Sequence, residues 1–243
     1  MEFRLDFFFR VVMDVIYYGM NVAFFKVLYR HTDTLAGWSE SQVMVFVGAF
    51  MVLDGLQMTL FSNNMYMLPI MINRGDLDYY LVRPVSSLFF LSLRDFAANS
   101  FLNLVIASGF FAWSLFNYPG ELSFGNFLFF LICLANGLLL YYYLRLLWLL
   151  PAFWTQSGRG LDVLFWNFTR FLERPDRIFT GPIRVVLLTV LPYALMVSIP
   201  TRMLFDGFNS AMTANLVAVT LAFTLLIRAL WRLALRNYSS ASS

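Results

Sequence analysis

The chain has 243 residues, of which 60% are hydrophobic, 19% aromatic and only 13% charged, and its mean hydropathy is +0.70. Soluble domains carry about 25% charged residues, and a globule of this length has no interior large enough for so much apolar side chain. A polytopic membrane protein does, because lipid solvates its outside. The net charge of +3 comes from 16 Arg and the single Lys26, balanced by 14 acids, and is too small a surplus to indicate nucleic-acid binding. One Cys, Cys133, excludes an internal disulfide and a thiolate metal site, and one His, His31, is a poor basis for metal or triad chemistry.

A helix needs about 20 apolar residues to cross the hydrocarbon core. The first candidate is 7–29, which holds Asp14 and Lys26. The opening MEFRLDFFFR lacks a short apolar core with a cleavage site, so this run is expected to remain in the mature protein. The second candidate, 42–70, is longer than a crossing requires. The third is 88–116, the fourth 124–154 and the last 211–235. The connections HTDTLAGWSE and NYPGELS are short and turn-like.

The stretch 155–206 admits two readings. In one, 159–178 crosses and 182–204 is a broken re-entrant hairpin on the far side. In the other, the first piece lies at the interface and 183–204 crosses. Both give six crossings and put the termini on one side. Arg4, Arg10, Arg74, Arg83, Arg94, Arg159, Arg228, Arg232 and Arg236 then fall on that side, and Lys26, Arg30 and Arg202 on the other. The positive-inside rule makes the first side cytosolic. Arg170, Arg174, Arg177 and Arg184 fit that rule better under the second reading. Under the first, Arg170 and Arg174 need a partner such as Glu173 or Asp176, or a polar cavity.

Between the second and third apolar runs lies NRGDLDYYLVRPVSS, residues 73–87. Asn73 is placed to cap a short helix, Asp76 and Asp78 to favour its positive end and Arg83 its negative end, with Pro84 stopping it. Leu77, Tyr80 and Leu81 share a face at i, i+3, i+4. The spacing predicts an amphipathic helix over 74–83, and spacing alone fits an ordinary interfacial loop equally well.

Charged and amide groups also fall inside the apolar runs. Asp54 lies mid-run with Gln57 one turn on, and Asn99 and Asn103 share a face of the third run. A carboxylate at that depth should face protein or water. These four residues read as the lining of a substrate path or as interhelical hydrogen-bond glue. Asp14 and Arg145 are candidates for an intramembrane pair. Arg94 is expected to snorkel to headgroups, and Trp38, Trp113, Tyr118, Trp231 and Tyr238 to form an interfacial belt.

The 73–87 string resembles a stretch of type-2 ABC transporter permeases, in a bacterial subfamily where Gly-x-Leu-Asp-x-x-Leu-x-Arg-Pro is typical. Gly75, Leu77, Asp78, Leu81, Arg83 and Pro84 match it position by position. Leu35-Ala36-Gly37-Trp38-Ser39 is similar to that family's lead-in to its second span. Pro182-Ile183-Arg184 with Pro192 and Pro200 resembles its proline-marked segment, and the run from Arg236 to Ser242 its terminus.

The resemblance implies an all-α membrane protein, one permease domain over 1–243. It would have six transmembrane helices, a cytosolic coupling helix at 74–83 and a re-entrant helical hairpin at 182–204. It implies an exporter subunit of the bacterial inner membrane, both termini cytosolic, paired with a second permease (homodimer or sister). Two copies of a cytosolic ABC ATPase would hold ATP and Mg, and this chain would bind no cofactor. Arg74, Gly75, Asp76, Leu77, Asp78, Tyr80, Leu81, Arg83 and Pro84 would couple it to the ATPase. No Gly-x-x-x-x-Gly-Lys-Ser/Thr occurs in this chain. The alternatives are an ion-driven secondary transporter, for which matching broken repeats are missing, and an integral enzyme acting on lipid, for which no cluster of catalytic groups is recognisable.

Overall fold

The computed structural model describes residues 2–83, 86–155 and 159–238, except the side chains of 2–7, 10, 99 and 159. The described residues are helical throughout apart from turns and one isolated bridge between Leu35 and Trp38. Pro84, Ser157, Gly158 and the terminal Ser239 to Ser242 lie outside the described residues, as does the side chain of Asn99.

Among the described residues, four helical stretches are long and apolar enough to cross a membrane: Val11–Tyr29, Glu40–Arg74, Phe124–Thr155 and Ser210–Arg236. The first lies within helix α1 (Glu2–Tyr29). The second is compound, running through α2 (Glu40–Gln57), a π-helical turn (Met58–Ser62) and α3 (Asn63–Arg74). It is the central element, with 72% of its apolar window buried against 17% for the first stretch and 22% for the last.

Its start is well defined. Ser39 Oγ accepts from Gln42 N, and Gln42 Oε1 accepts from Ser39 N, which forms a capping box. Trp38, 2% exposed, packs edge-on against Phe46 and Phe205, and its carbonyl accepts from the Tyr29 hydroxyl at 2.8 Å. Trp38 therefore anchors the core instead of sitting in an interfacial belt. Trp231, 6% exposed at the other end of the bundle, does the same beside Phe153.

The third apolar run is not one helix. The turn-like α4 (Asp78–Leu81) and α5 (Ser87–Ser92) precede a bend at 93–97 and a 3-10 turn, and only then does α6 (Phe101–Phe116) begin. Ser92 Oγ bonds back to Leu88 O, and the Asn64 side chain takes Ser92 O and Asp95 O. These bonds compete with continuation of the helix. The fourth run is α7 (Phe124–Leu149), stepping at Pro151 into the single turn α8 (Ala152–Thr155). Helix α13 (Ser210–Arg236) closes the fold.

Neither expected fifth crossing is a single helix. Helix α9 (Arg159–Thr169) has 11 residues; its rise of about 16 Å is half of the roughly 30 Å core. After it come turns and a 3-10 segment at Asp176–Ile178. The 182–204 segment is broken into α10 (Gly181–Leu188), α11 (Tyr193–Met196) and α12 (Ser198–Asp206). Pro192 and Pro200 each lack the N–H that a continuous helix needs.

One buried carboxylate holds this broken unit together. Asp176, 1% exposed, accepts from Arg184 Nη2 at 2.9 Å, Arg202 Nη1 at 3.4 Å and Ser198 Oγ at 2.7 Å, and its own N–H donates to Ser198 Oγ. Helix α11 lies directly on α7 because Gly137 has no side chain. A Cβ there would collide with the carbonyl of Met196.

Candidate functional site

Two concave regions lie along Glu40–Arg74. The first, about 290 Å³, sits beside the middle of α2. Asp14 and Tyr17 reach it from α1, Phe50, Asp54 and Gln57 from α2, Tyr141 from α7, Trp166 and Thr169 from α9, and Arg170 and Glu173 from the turn that follows. Three carboxylates and one guanidinium thus face one apolar-walled space, an arrangement tolerated at membrane depth only in a protein-enclosed or wet cavity.

Tyrosines hold the acids in place. Tyr18 O–H donates to Asp54 Oδ2 at 3.1 Å, and Tyr17 O–H donates to Glu173 Oε1 at 2.8 Å. Asn103 Nδ2 donates to Asp14 Oδ2. Of the four residues expected on a path, Asp54 and Gln57 line the cavity and the fully buried Asn103 stands behind it, steadying Asp14. Asn99 falls among the side chains not described.

Asp14 and Arg145 do not pair. Asp14 goes to Asn103, while Arg145 reaches Asp162 at 2.8 Å and lies over the Phe165 ring at 4.6 Å. Arg170 lines the cavity. Arg174 stacks on Phe24 at 4.1 Å and pairs with neither of the acids considered for it.

Tyr17, Tyr18 and Trp166 are residues that sequence reasoning missed here, and Glu173 figures in it only as a partner for Arg170 or Arg174. For the two tyrosines the signal available was helical spacing: Asp14, Tyr17, Tyr18 and Asn21 fall at i, i+3, i+4, i+7 and make one polar stripe on α1; no comparable signal marks Trp166.

The second region is a groove of about 570 Å³ at the end of α3. Helix α3 stops because Gly75 takes a left-handed conformation (φ 78°), and Asp76 N then returns to Met71 O at 3.0 Å. Asn73 and Arg74 thus belong to the end of α3, and the helix expected over 74–83 reduces to the one turn of α4. Leu77 is fully buried, and Tyr80 and Leu81 pack half-buried on the same apolar cluster, so the shared face points into this chain. The outward surface is made by Arg74, Asp76, Tyr79 and Val82.

Arg83 lies 4.4 Å over the Tyr79 ring and 4.9 Å over Phe90, which stiffens the loop. Arg94 does not snorkel outward. It donates to Tyr80 Oη at 2.7 Å and pairs with Asp95 at 2.7 Å. Arg228, Arg232 and Arg236 stand exposed along one side of α13.

Residues 15–242 match the family described as ABC-2 family transporter protein. The chain belongs to this ABC-2 transporter family. No curated protein and no solved structure gives a significant match. As an ABC-2 family protein, the chain is the membrane-embedded permease subunit of an ABC transporter, and the family implies a separate ATPase and a partner permease. Both concave regions of this permease lie on its most buried helical element, one at its middle and one at its end.

Proposed function

We propose that this permease forms half of an export path in the bacterial inner membrane. In this reading two permease subunits meet about a two-fold axis, and two copies of a cytosolic ATPase dock on the 74–84 loops. The observation that carries the reading is the placement of cavity and groove on one continuous helical element, Glu40–Arg74. A push at the groove then reaches the cavity along this one compound, largely buried element. The chain supplies the path, and the ATPase binds ATP and Mg and performs the hydrolysis.

Six passes follow if α5 and α6 together make one crossing and 159–206 makes another with a re-entrant hairpin. Both termini and the groove then face the cytosol. The groove end carries Arg74, Arg83, Arg94, Arg228, Arg232 and Arg236, which favours that orientation. Of the arginines at the opposite end, Arg184 and Arg202 share the Asp176 carboxylate. This pairing weakens the charge argument against a re-entrant unit on the outer side.

The proposed docking surface is the exposed set Arg74, Asp76, Tyr79 and Val82, shaped by Gly75 and backed by Leu77, Asp78, Tyr80, Leu81 and Arg83. Asp54 and Gln57, with Asn103 behind them, belong to the proposed substrate path. The test is affinity purification of the tagged chain from its native host, beside a Tyr79→Ala, Arg74→Glu variant. A Walker-motif ATPase is expected with the parent and not with the variant. Retention by the variant would place the docking surface elsewhere.

A further inference from the structure

We propose that the bend at Arg94 and Asp95 carries motion from the docking loop to the cavity, acting through Asn64 on the π-helical turn Met58–Ser62. The proposal rests on the reading above, in which the loop meets an ATPase and the cavity is the substrate path. It makes Tyr80, Arg94 and Asn64 positioning residues for transport.

A break inside an apolar helix strands backbone groups that lipid cannot satisfy. Here the neighbouring compound helix satisfies them. Asn64, 3% exposed, donates to Ser92 O at 3.0 Å and to Asp95 O at 2.8 Å, and its Oδ1 accepts from Asp95 N at 3.1 Å. Ala97 N donates to Thr59 O at 3.0 Å. Four hydrogen bonds thus lace the bend and the end of α5 to the compound helix, one to Thr59 in the π-helical turn and three to Asn64, two residues past its end.

The same bend also reaches the docking loop. Arg94 Nη1 donates to Tyr80 Oη at 2.7 Å, and Arg94 Nε to Asp95 Oδ2 at 2.8 Å. Tyr80 is in α4, the single turn that presents the exposed loop surface. One dipeptide therefore has a side-chain grip on the loop and a backbone grip on the compound helix.

The position of the second grip gives it leverage. The π-helical turn begins at Met58, next to Gln57, and both residues line the cavity. A π-turn holds one residue more than an α-turn. Its conversion to α re-registers Asp54 and Gln57 against everything beyond Asn63, a rotation of about 100° per residue at α-helical pitch. Thr59 O, bonded to Ala97 N, is part of that turn. A displaced bend therefore pulls directly on the segment whose register is adjustable.

The experiment uses membranes of the native host, in which the full chain and its partner ATPase are both made. Cys133, the one native thiol, is replaced by Cys133→Ala, and Thr169→Cys places a reporter on the cavity wall. The probe is N-ethylmaleimide, and its labelling rate is compared with and without ATP plus orthovanadate. Tyr80→Phe and Arg94→Met each remove the bond between loop and bend, the first by deleting the acceptor and the second by deleting the donor while keeping an apolar stem. Tyr66→Phe removes a hydroxyl from an exposed α3 position outside the relay.

The expected result is that vanadate trapping changes the labelling rate in the parent and in Tyr66→Phe. In Tyr80→Phe and Arg94→Met that change falls roughly tenfold, the size set by one charge-assisted hydrogen bond. With Arg94→Met, which lies outside the docking surface, the ATPase still co-purifies and turns over ATP. Persistence of the change in both variants would overturn the relay. Loss of the ATPase from both would also overturn it, since the two side chains would then serve docking alone. If the parent shows no change while its ATPase co-purifies, the cavity is not gated, and the path reading falls together with the relay.

Discussion

The Tyr18 hydroxyl donates to the Asp54 carboxylate at 3.1 Å, joining α1 to the central helix at the depth of the cavity. Helix α1 is otherwise sparsely buried, with 17% of its apolar window covered. The bond therefore does two things: it orients a cavity acid, and it fixes the rotation of a peripheral helix. In membranes such interhelical hydrogen bonds are worth about 0.6 kcal/mol on average and up to about 1.7. A double-mutant cycle with Tyr18→Phe and Asp54→Leu, read by thermal unfolding in detergent, should return a coupling of about 1 kcal/mol. Additive effects of the two substitutions would show that the contact contributes nothing.

Asp176 is expected to be the most sensitive charged position in the 159–206 unit. Its carboxylate is fully buried beneath Arg184 and Arg202, and Ser198 completes its shell. Asp176→Asn leaves two guanidinium groups without a counter-charge, which for a buried pair costs about 3–5 kcal/mol. Arg184→Met should cost less, because the Arg184 side chain is 38% exposed. Cys133, 2% exposed, provides the readout: its reaction with a fluorogenic maleimide during heating reports unfolding. A midpoint for Asp176→Asn equal to that of the parent would remove the carboxylate from the role assigned to it.

Much of this architecture is legible in the sequence where the determinants are local. The long apolar runs of α1, α2, α7 and α13 are set by residues within a turn or two; the Ser39 cap and the Gly75 stop are equally local, but the expected helix over 74–83 runs through Gly75 and overlooks the stop. Asp54 and Gln57 stand out because a polar group inside an apolar run has few alternatives to a cavity. The bend at 93–97 is not legible, since the side chain that satisfies it, Asn64, lies 28 residues before Ser92. Nor does an i, i+3, i+4 pattern say which way a face points. Leu77, Tyr80 and Leu81 share one as expected, and it turns into the chain's own core. Tyr17 and Tyr18 pass for lipid-facing aromatics until Glu173 and Asp54 arrive from distant segments.

The inward direction of Leu77 separates stability from docking. Leu77 is fully buried and Tyr79 is 62% exposed, two residues apart on the same loop. Leu77→Ala removes a core side chain and should destabilise the isolated chain by about 2–5 kcal/mol. Tyr79→Ala should stay within about 0.5 kcal/mol of the parent while losing the ATPase on purification. Heating the two purified variants without any partner makes the comparison. Equal midpoints would mean that Leu77 is not part of the core as described.

Gly137 offers a test of the packing that seats the broken unit on the bundle. It is the point where α7 meets the backbone of α11, and a methyl group there meets the Met196 carbonyl, which has no flexible end to swing away. Overpacking a close-fitted contact costs about 1–3 kcal/mol, occasionally more. Gly137→Ala should therefore lower the unfolding midpoint, and Gly137→Val should lower it further. The effect should extend to α12, because Met203 Sδ lies 3.9 Å from Cys133 Sγ, one turn before Gly137 on α7. A unit pushed off α7 uncovers that thiol. Faster maleimide labelling of Cys133 in the folded Gly137→Ala protein is the specific expectation. A lower midpoint with unchanged Cys133 labelling would locate the damage within α7 itself and not at its contact with α11 and α12.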